Sequence, residues 1–150
     1  MRSLWNPDDC AALQRRFATL TDDHRARWGR MTCAQMIRHV AWGIQMATGE
    51  RPIADMRTPL RFFPLKQLVL HVLPFPRSAP TAHALKADAA SDVRSVAEER
   101  AGLDAALASF RAMNRQAPWG PHPAFGTMTG TSWGRMLHKH ADHHLRQFGA

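Results

Sequence analysis

A chain of 150 residues with 45% hydrophobic content is long enough to bury one substantial core, and it reads as a single domain over 1–150. A formal charge of +8 invites a nucleic-acid reading, but seventeen of the twenty basic residues are Arg, as GC-rich coding produces, and no run exceeds Arg15-Arg16. Without an aromatic-and-basic platform, no specific nucleic-acid partner is expected.

Met1 to Asp9 has a basic residue but no apolar stretch before its acidic residues, so no secretory signal is expected and the chain reads as cytoplasmic. Asn6-Pro7-Asp8-Asp9 opens a first helix: a capping side chain, Pro in the first turn and two acids at the positive end of the dipole. Cys10, Leu13, Phe17 and Leu20 recur at helical spacing, which carries the helix to about Thr21. Thr32 and Gln35 form a capping box that starts a second helix, and Gly49 stops it. Met36, His39, Val40, Gly43, Met46 and Ala47 share one face, so His39 points into the core. Cys10 and Cys33 are too few for a disulfide framework and read as buried thiols.

Pro52 to Pro80 is irregular, with one short apolar helix around Pro64 to Leu73. The apolar stretch Leu68 to Phe75 is interrupted by His71 and Pro74 and is too short to cross a bilayer, so no membrane partner is expected. Ser91 is read as the cap of the longest helix, running to about Asn114 with Val93, Val96, Arg100, Leu103, Leu107 and Phe110 inward. Glu98 and Glu99 are read as its solvated face. A Pro- and Gly-rich loop over Gln116 to Gly130 leads to a last helix from Thr129 or Thr131, with Trp133, Leu137, His140, His144 and Phe148 on one stripe. Four main helices and one long crossover predict an all-α four-helix bundle.

The stripe on the last helix carries the chemistry. His140 and His144 lie four apart, so their imidazoles project from one face about one turn apart, a spacing at which two histidines grip one metal ion. Two core positions given to histidine are expensive unless something satisfies both ring nitrogens of each. With His39 from the second helix they would supply three nitrogen ligands and leave open positions, the pattern of a catalytic rather than a structural site. Imidazole suits Zn, Ni, Cu or Fe, with Zn and Ni the leading candidates. His138 and His143 flank the stripe, as partners of the ligands or as exposed residues. His122, in the loop before the last helix, is a candidate for covering the site or adding a ligand. Arg100, a charge at a core position, is either paired with an acid or clamps a substrate carboxylate. Trp42 and Trp133 read as packing residues, and His24, His71 and His83 carry no spacing signal.

The segments Leu4-Trp5-Asn6-Pro7, Trp28-Gly29-Arg30-Met31-Thr32, His122-Pro123-Ala124-Phe125-Gly126 and His140-Ala141-Asp142-His143-His144-Leu145-Arg146-Gln147-Phe148-Gly149 resemble the DinB/YfiT-like metalloenzyme superfamily, and within it a bacterial family of unknown function. The resemblance implies a DinB-like bundle whose divalent metal is held by His39, His140 and His144, with His143 not a ligand. It also implies, from thiol S-transferases that use bacillithiol or mycothiol and a thiol-dependent isomerase, an enzyme acting on a small molecule with a low-molecular-weight thiol. A homodimer is reasonable for such a protein. Metal-dependent hydrolysis and a non-enzymatic metal-binding stress or interaction protein are the rival readings.

Overall fold

The structure is a computed structural model that describes residues 1–56, 58–75, 77 and 94–150. Its four main helices are α1 (Pro7–Ala18), α2 (Cys33–Thr48), α4 (Val96–Ala112) and α5 (Gly130–Gln147). Between α2 and α4 the crossover carries a 3-10 turn at Pro59–Arg61 and a short α3 (Leu65–Gln67) that widens into a π-turn over Leu68–Val72. Among the described residues the only β pairing is an isolated bridge between His122 and Gly126, so the fold is all-α.

Local chemistry sets most of the boundaries. Asn6 accepts from the Asp8 and Asp9 amides at 2.8 and 3.0 Å, supplying partners that the first turn of α1 lacks. Thr32 and Gln35 exchange reciprocal bonds at the start of α2, and Gly49 ends it at φ +82°. Thr129 caps α5 through the Ser132 amide. Two expectations shift. α1 stops at Ala18, because the Thr19 hydroxyl turns back to donate to the Arg16 carbonyl at 2.8 Å. α4 begins at Val96, capped by Ser95, whose hydroxyl accepts from Glu98 N while Glu98 accepts from Ser95 N at 2.9 Å. Ser91 and Val93, expected at this helix start, and His83 lie outside the described residues. At 17 residues α4 is also one shorter than α5.

Helix α2 packs along α4, while α5 lies against both α1 and α2. Leu13, Phe17, Met36, Ile37, Ile44, Leu103, Phe110, Trp133, Leu137 and Leu145 are almost wholly buried between them. Each such side chain contributes about 1.5–3 kcal/mol through the apolar surface it removes from water. Cys10 and Cys33 are free and buried in this core, and burial pushes the Cys33 thiol up to about 11. Trp133 packs in the core and donates its indole N–H to Gly120 O at 3.1 Å. Trp42 is half-buried under the Arg51 guanidinium, 3.8 Å from its ring centroid.

The inward face of α4 runs through Val96, Glu99, Leu103, Ala106, Leu107 and Phe110, which corrects the expected placement of both charged residues. Glu99 is buried rather than solvated, because Arg38 of α2 donates to its Oε1 from Nε at 2.9 Å and Nη2 at 2.5 Å. Arg100 is half-buried. Its Nη1 donates to the carbonyls of Ala18 at 3.2 Å and of Phe17 and Leu20 at 3.4 Å, closing the C-terminal end of α1. Breaking a buried ion pair from one side strands the other charge, at about 3–5 kcal/mol, whereas replacing both partners is far milder. Glu99→Ala is therefore expected to lose about that much stability in urea unfolding, and Arg38→Met with Glu99→Leu to recover most of it.

Candidate metal centre

Helical geometry brings His39 of α2 and His140 and His144 of α5 together, as the spacing predicts. The Nε2 atoms of His39 and His140 lie 3.0 Å apart, and those of His140 and His144 3.1 Å apart. The ring centroids are separated by 4.7–4.9 Å, with each pair near perpendicular. Ligand nitrogens about 2.0–2.1 Å from a common ion stand about 3 Å apart, so the cluster has the dimensions of a metal site.

The proton arrangement can be derived from one fixed point outward. The Trp28 carbonyl can only accept, so the amide nitrogen of Gln147, 2.6 Å away, must be the donor to it. That orientation turns Gln147 Oε1 toward His144 Nδ1 at 2.7 Å, and an amide oxygen can only accept. His144 Nδ1 therefore carries the ring proton, and its Nε2 presents a lone pair to the cluster. His140 Nε2 faces two nitrogens at once, and a single N–H cannot serve both. At least one of the two contacts is therefore left without a hydrogen bond, and a cation at the common point would satisfy all three rings. Among the described residues, these three form the group placed to hold a metal ion.

Burial also keeps the two histidines of α5 neutral. Desolvation pushes His144 down to about 3, with the neighbouring His39 adding to the effect, and holds His140 well below its ordinary value, with His144 and His39 adding to it. Neutral imidazole is the metal-binding form, so these ligands are ready at neutral pH. Small residues make room for the rings. A Cβ on Gly43 would stand 3.3 Å from Cε1 and Nδ1 of His140, tighter than ordinary contact. A Cβ on Gly29, which sits at φ +84°, would approach Gln147 Nε2 to 2.7 Å.

The other expected site residues fall in different places. His122 is not in the nitrogen cluster. Its Nδ1 accepts from the backbone amides of Ala124 at 3.0 Å and Phe125 at 3.3 Å, so when neutral it carries its proton on Nε2. It packs on Phe125 and Trp133, and lies close enough to His140 to oppose that ring's protonation. Arg100 makes its bonds at the end of α1, and none of them touches the triad. His138 is buried, and His143 is half-buried between Trp28 and Phe75. Sequence reasoning missed Gln147, although its place three residues after His144, on the same helical face, was the available signal.

Two outcomes follow from these contacts. Gln147→Leu should weaken metal binding about 10- to 100-fold, the range for losing a bond that orients a metal-bound histidine, measured by competition with a chromogenic chelator. The second concerns His122, which burial, with help from Lys66, pushes down to about 4. The unfolded state then takes up this proton first, near pH 6.5, so the stabilisation is complete above that pH and disappears as pH falls toward 4. His122→Gln should flatten the pH dependence of metal-free unfolding across pH 6.5 to 4 by about one proton; an unchanged slope would mean that another group sets it.

No curated protein and no solved structure matches this chain. A family model described as the DinB superfamily matches residues 9–148, almost the whole length. The helical bundle, the three convergent histidines and this match together make the chain a member of the DinB superfamily.

Proposed function

We propose that this protein is a metal-dependent enzyme of the thiol S-transferase type. Its triad would hold Zn or Ni, and a low-molecular-weight thiol would be joined there to a small electrophile. The observation that carries the reading is the set of three imidazoles in which Nε2 of His140 lies 3.0 Å from that of His39 and 3.1 Å from that of His144. A divalent ion held by neutral ligands alone keeps its full charge and open positions, and so would supply the Lewis acidity that ionises a thiol near neutral pH.

The chain's own residues have definable tasks. Gln147 fixes the proton of His144 on the outward nitrogen, and the apolar bundle keeps the ligands unprotonated. Metal-assisted hydrolysis, the rival at the same site, is better served by a free carboxylate as general base. Asp142, the carboxylate nearest the ligands in sequence, is engaged by Arg16 at 2.7 Å and Arg146 at 2.9 Å. Burial opposes its ionisation, but the bond from Arg16 and the charges of Arg146 and Arg16 outweigh that and hold it below the ordinary carboxylate range. So low a value makes a weak base, which favours a nucleophile that ionises without one. The two unpaired cysteines accord with a reducing cytoplasmic setting.

His39→Ala, His140→Ala and His144→Ala should each lower metal affinity by orders of magnitude, with His138→Ala close to the parent. Cobalt- or nickel-loaded protein titrated with glutathione and bacterial thiols should develop sulfur-to-metal charge-transfer absorption, absent in His144→Ala. A metal spectrum indifferent to every thiol would overturn the transferase reading in favour of hydrolysis or a structural site.

A further inference from the structure

A shielded indole N–H without an acceptor is disfavoured by about 1–3 kcal/mol, and native proteins rarely leave one so. Among the described residues, Nε1 of Trp28 and of Trp119 are both in this condition. Their surroundings differ. Trp119 Nε1 is pressed against α5, where a Cβ on Gly130 would come within 2.4 Å of it, so packing leaves no place for a ligand atom. Trp28 stands instead beside the ligand turn of α5. Its carbonyl holds Gln147, and its ring meets His143 edge-on with centroids 5.8 Å apart.

The neighbours of Trp28 define a chemical preference. Phe75 of the crossover lies 6.4 Å from His140 and 6.1 Å from His143, ring to ring, placing an apolar surface next to the ligands. The guanidinium of Arg77, an exposed residue, is 4.9 Å from the Trp28 ring centroid. The triad itself contributes no negative charge, and Asp142 is already engaged by two arginines. One donor awaiting an acceptor, one cation and one apolar wall suit a small organic anion.

We propose that Trp28, Phe75, His143 and Arg77 form a subsite for a small carboxylate-bearing molecule beside the metal centre. The indole N–H is shielded in this structure, so a carboxylate oxygen accepts its proton as the exposed Arg77 side chain over the ring moves to balance the charge, and Phe75 covers the carbon skeleton. This deepens the transferase reading and rests on it for one point, that the molecule held here meets the metal. No bond is made or broken in the subsite itself.

The test uses zinc- and cobalt-loaded full-length protein with 3-mercaptopropionate, propionate and the uncharged 2-mercaptoethanol. The Trp28 indole resonance is identified in a proton–nitrogen spectrum by its absence in Trp28→Phe, and it should move on addition of either carboxylate and stay still with 2-mercaptoethanol. In cobalt spectra the preference for 3-mercaptopropionate over 2-mercaptoethanol should fall about tenfold in Trp28→Phe, as expected for losing a hydrogen bond to a charged group. Arg77→Gln, on the surface, should lower the same preference and gives an independent reading if the Trp28 variant folds poorly. An indole resonance unmoved by saturating carboxylate would overturn the subsite and leave water as the partner of that N–H. Movement of the indole without any cobalt response would uphold the subsite while removing the thiol-activation reading.

Discussion

Lone pairs on imidazole nitrogens repel one another when they approach to about 3 Å, and the repulsion is strongest where water cannot screen it. The bundle brings three ring nitrogens together, one from α2 and two from α5, with too few ring protons directed inward to bridge every contact. Protonating His140 or His144 would relieve the repulsion but place charge in an apolar interior, which burial opposes. The arrangement is therefore costly to the fold, and a cation bound there would link binding and folding free energies at this point. Much of the surrounding structure can be read as support for that tension. Gln147 sets the protonated nitrogen of His144, Gly43 leaves space for His140, and Lys139 beside it donates to the carbonyls of Val69 and Leu73, tying the crossover to the ligand helix.

Much of this was legible from residues alone, because the signals were local. Asn6, Thr32, Gly49 and Thr129 mark helix ends through bonds with their immediate neighbours. The His140–His144 spacing is fixed by helix pitch once the helix is granted. The failures have a different origin. Glu99 and Arg100 sit one residue apart, each at helical spacing from Val96 and Leu103, and no property of α4 alone says which one faces inward. The choice is made by Arg38, sixty-one positions away in sequence, which offers a carboxylate a buried partner. The Trp28–Gln147 bond is likewise invisible without the tertiary fold, since it joins a loop to a helix across 119 positions. The start of α4, by contrast, is a local signal of the same kind as the other helix ends, since Ser95 with Glu98 makes a complete capping box whereas Ser91 is followed three residues on by Arg94.

The arginine excess also gains a physical reading. Arg16 holds Asp142 and the carbonyl of Ala150, Arg38 holds Glu99, and Arg100 closes the carbonyl end of α1. Guanidinium groups with several donors serve such composite acceptors better than a lysine ammonium does. The fold employs these three as intramolecular ties between helices rather than as a surface for polyanions.

The glycines around the triad carry a consequence for how this protein tolerates change. Gly43 lies under the His140 ring and Gly29 against the Gln147 amide, the latter in a left-handed conformation. Neither has a functional group, yet each sets the position of an atom that does. A comprehensive mutational scan scored on metal retention would thus single out sites where the essential property is the absence of a side chain. Those sites would stand beside the histidines in intolerance while offering no chemistry to suggest why, and larger residues would be excluded there even when the overall fold survives.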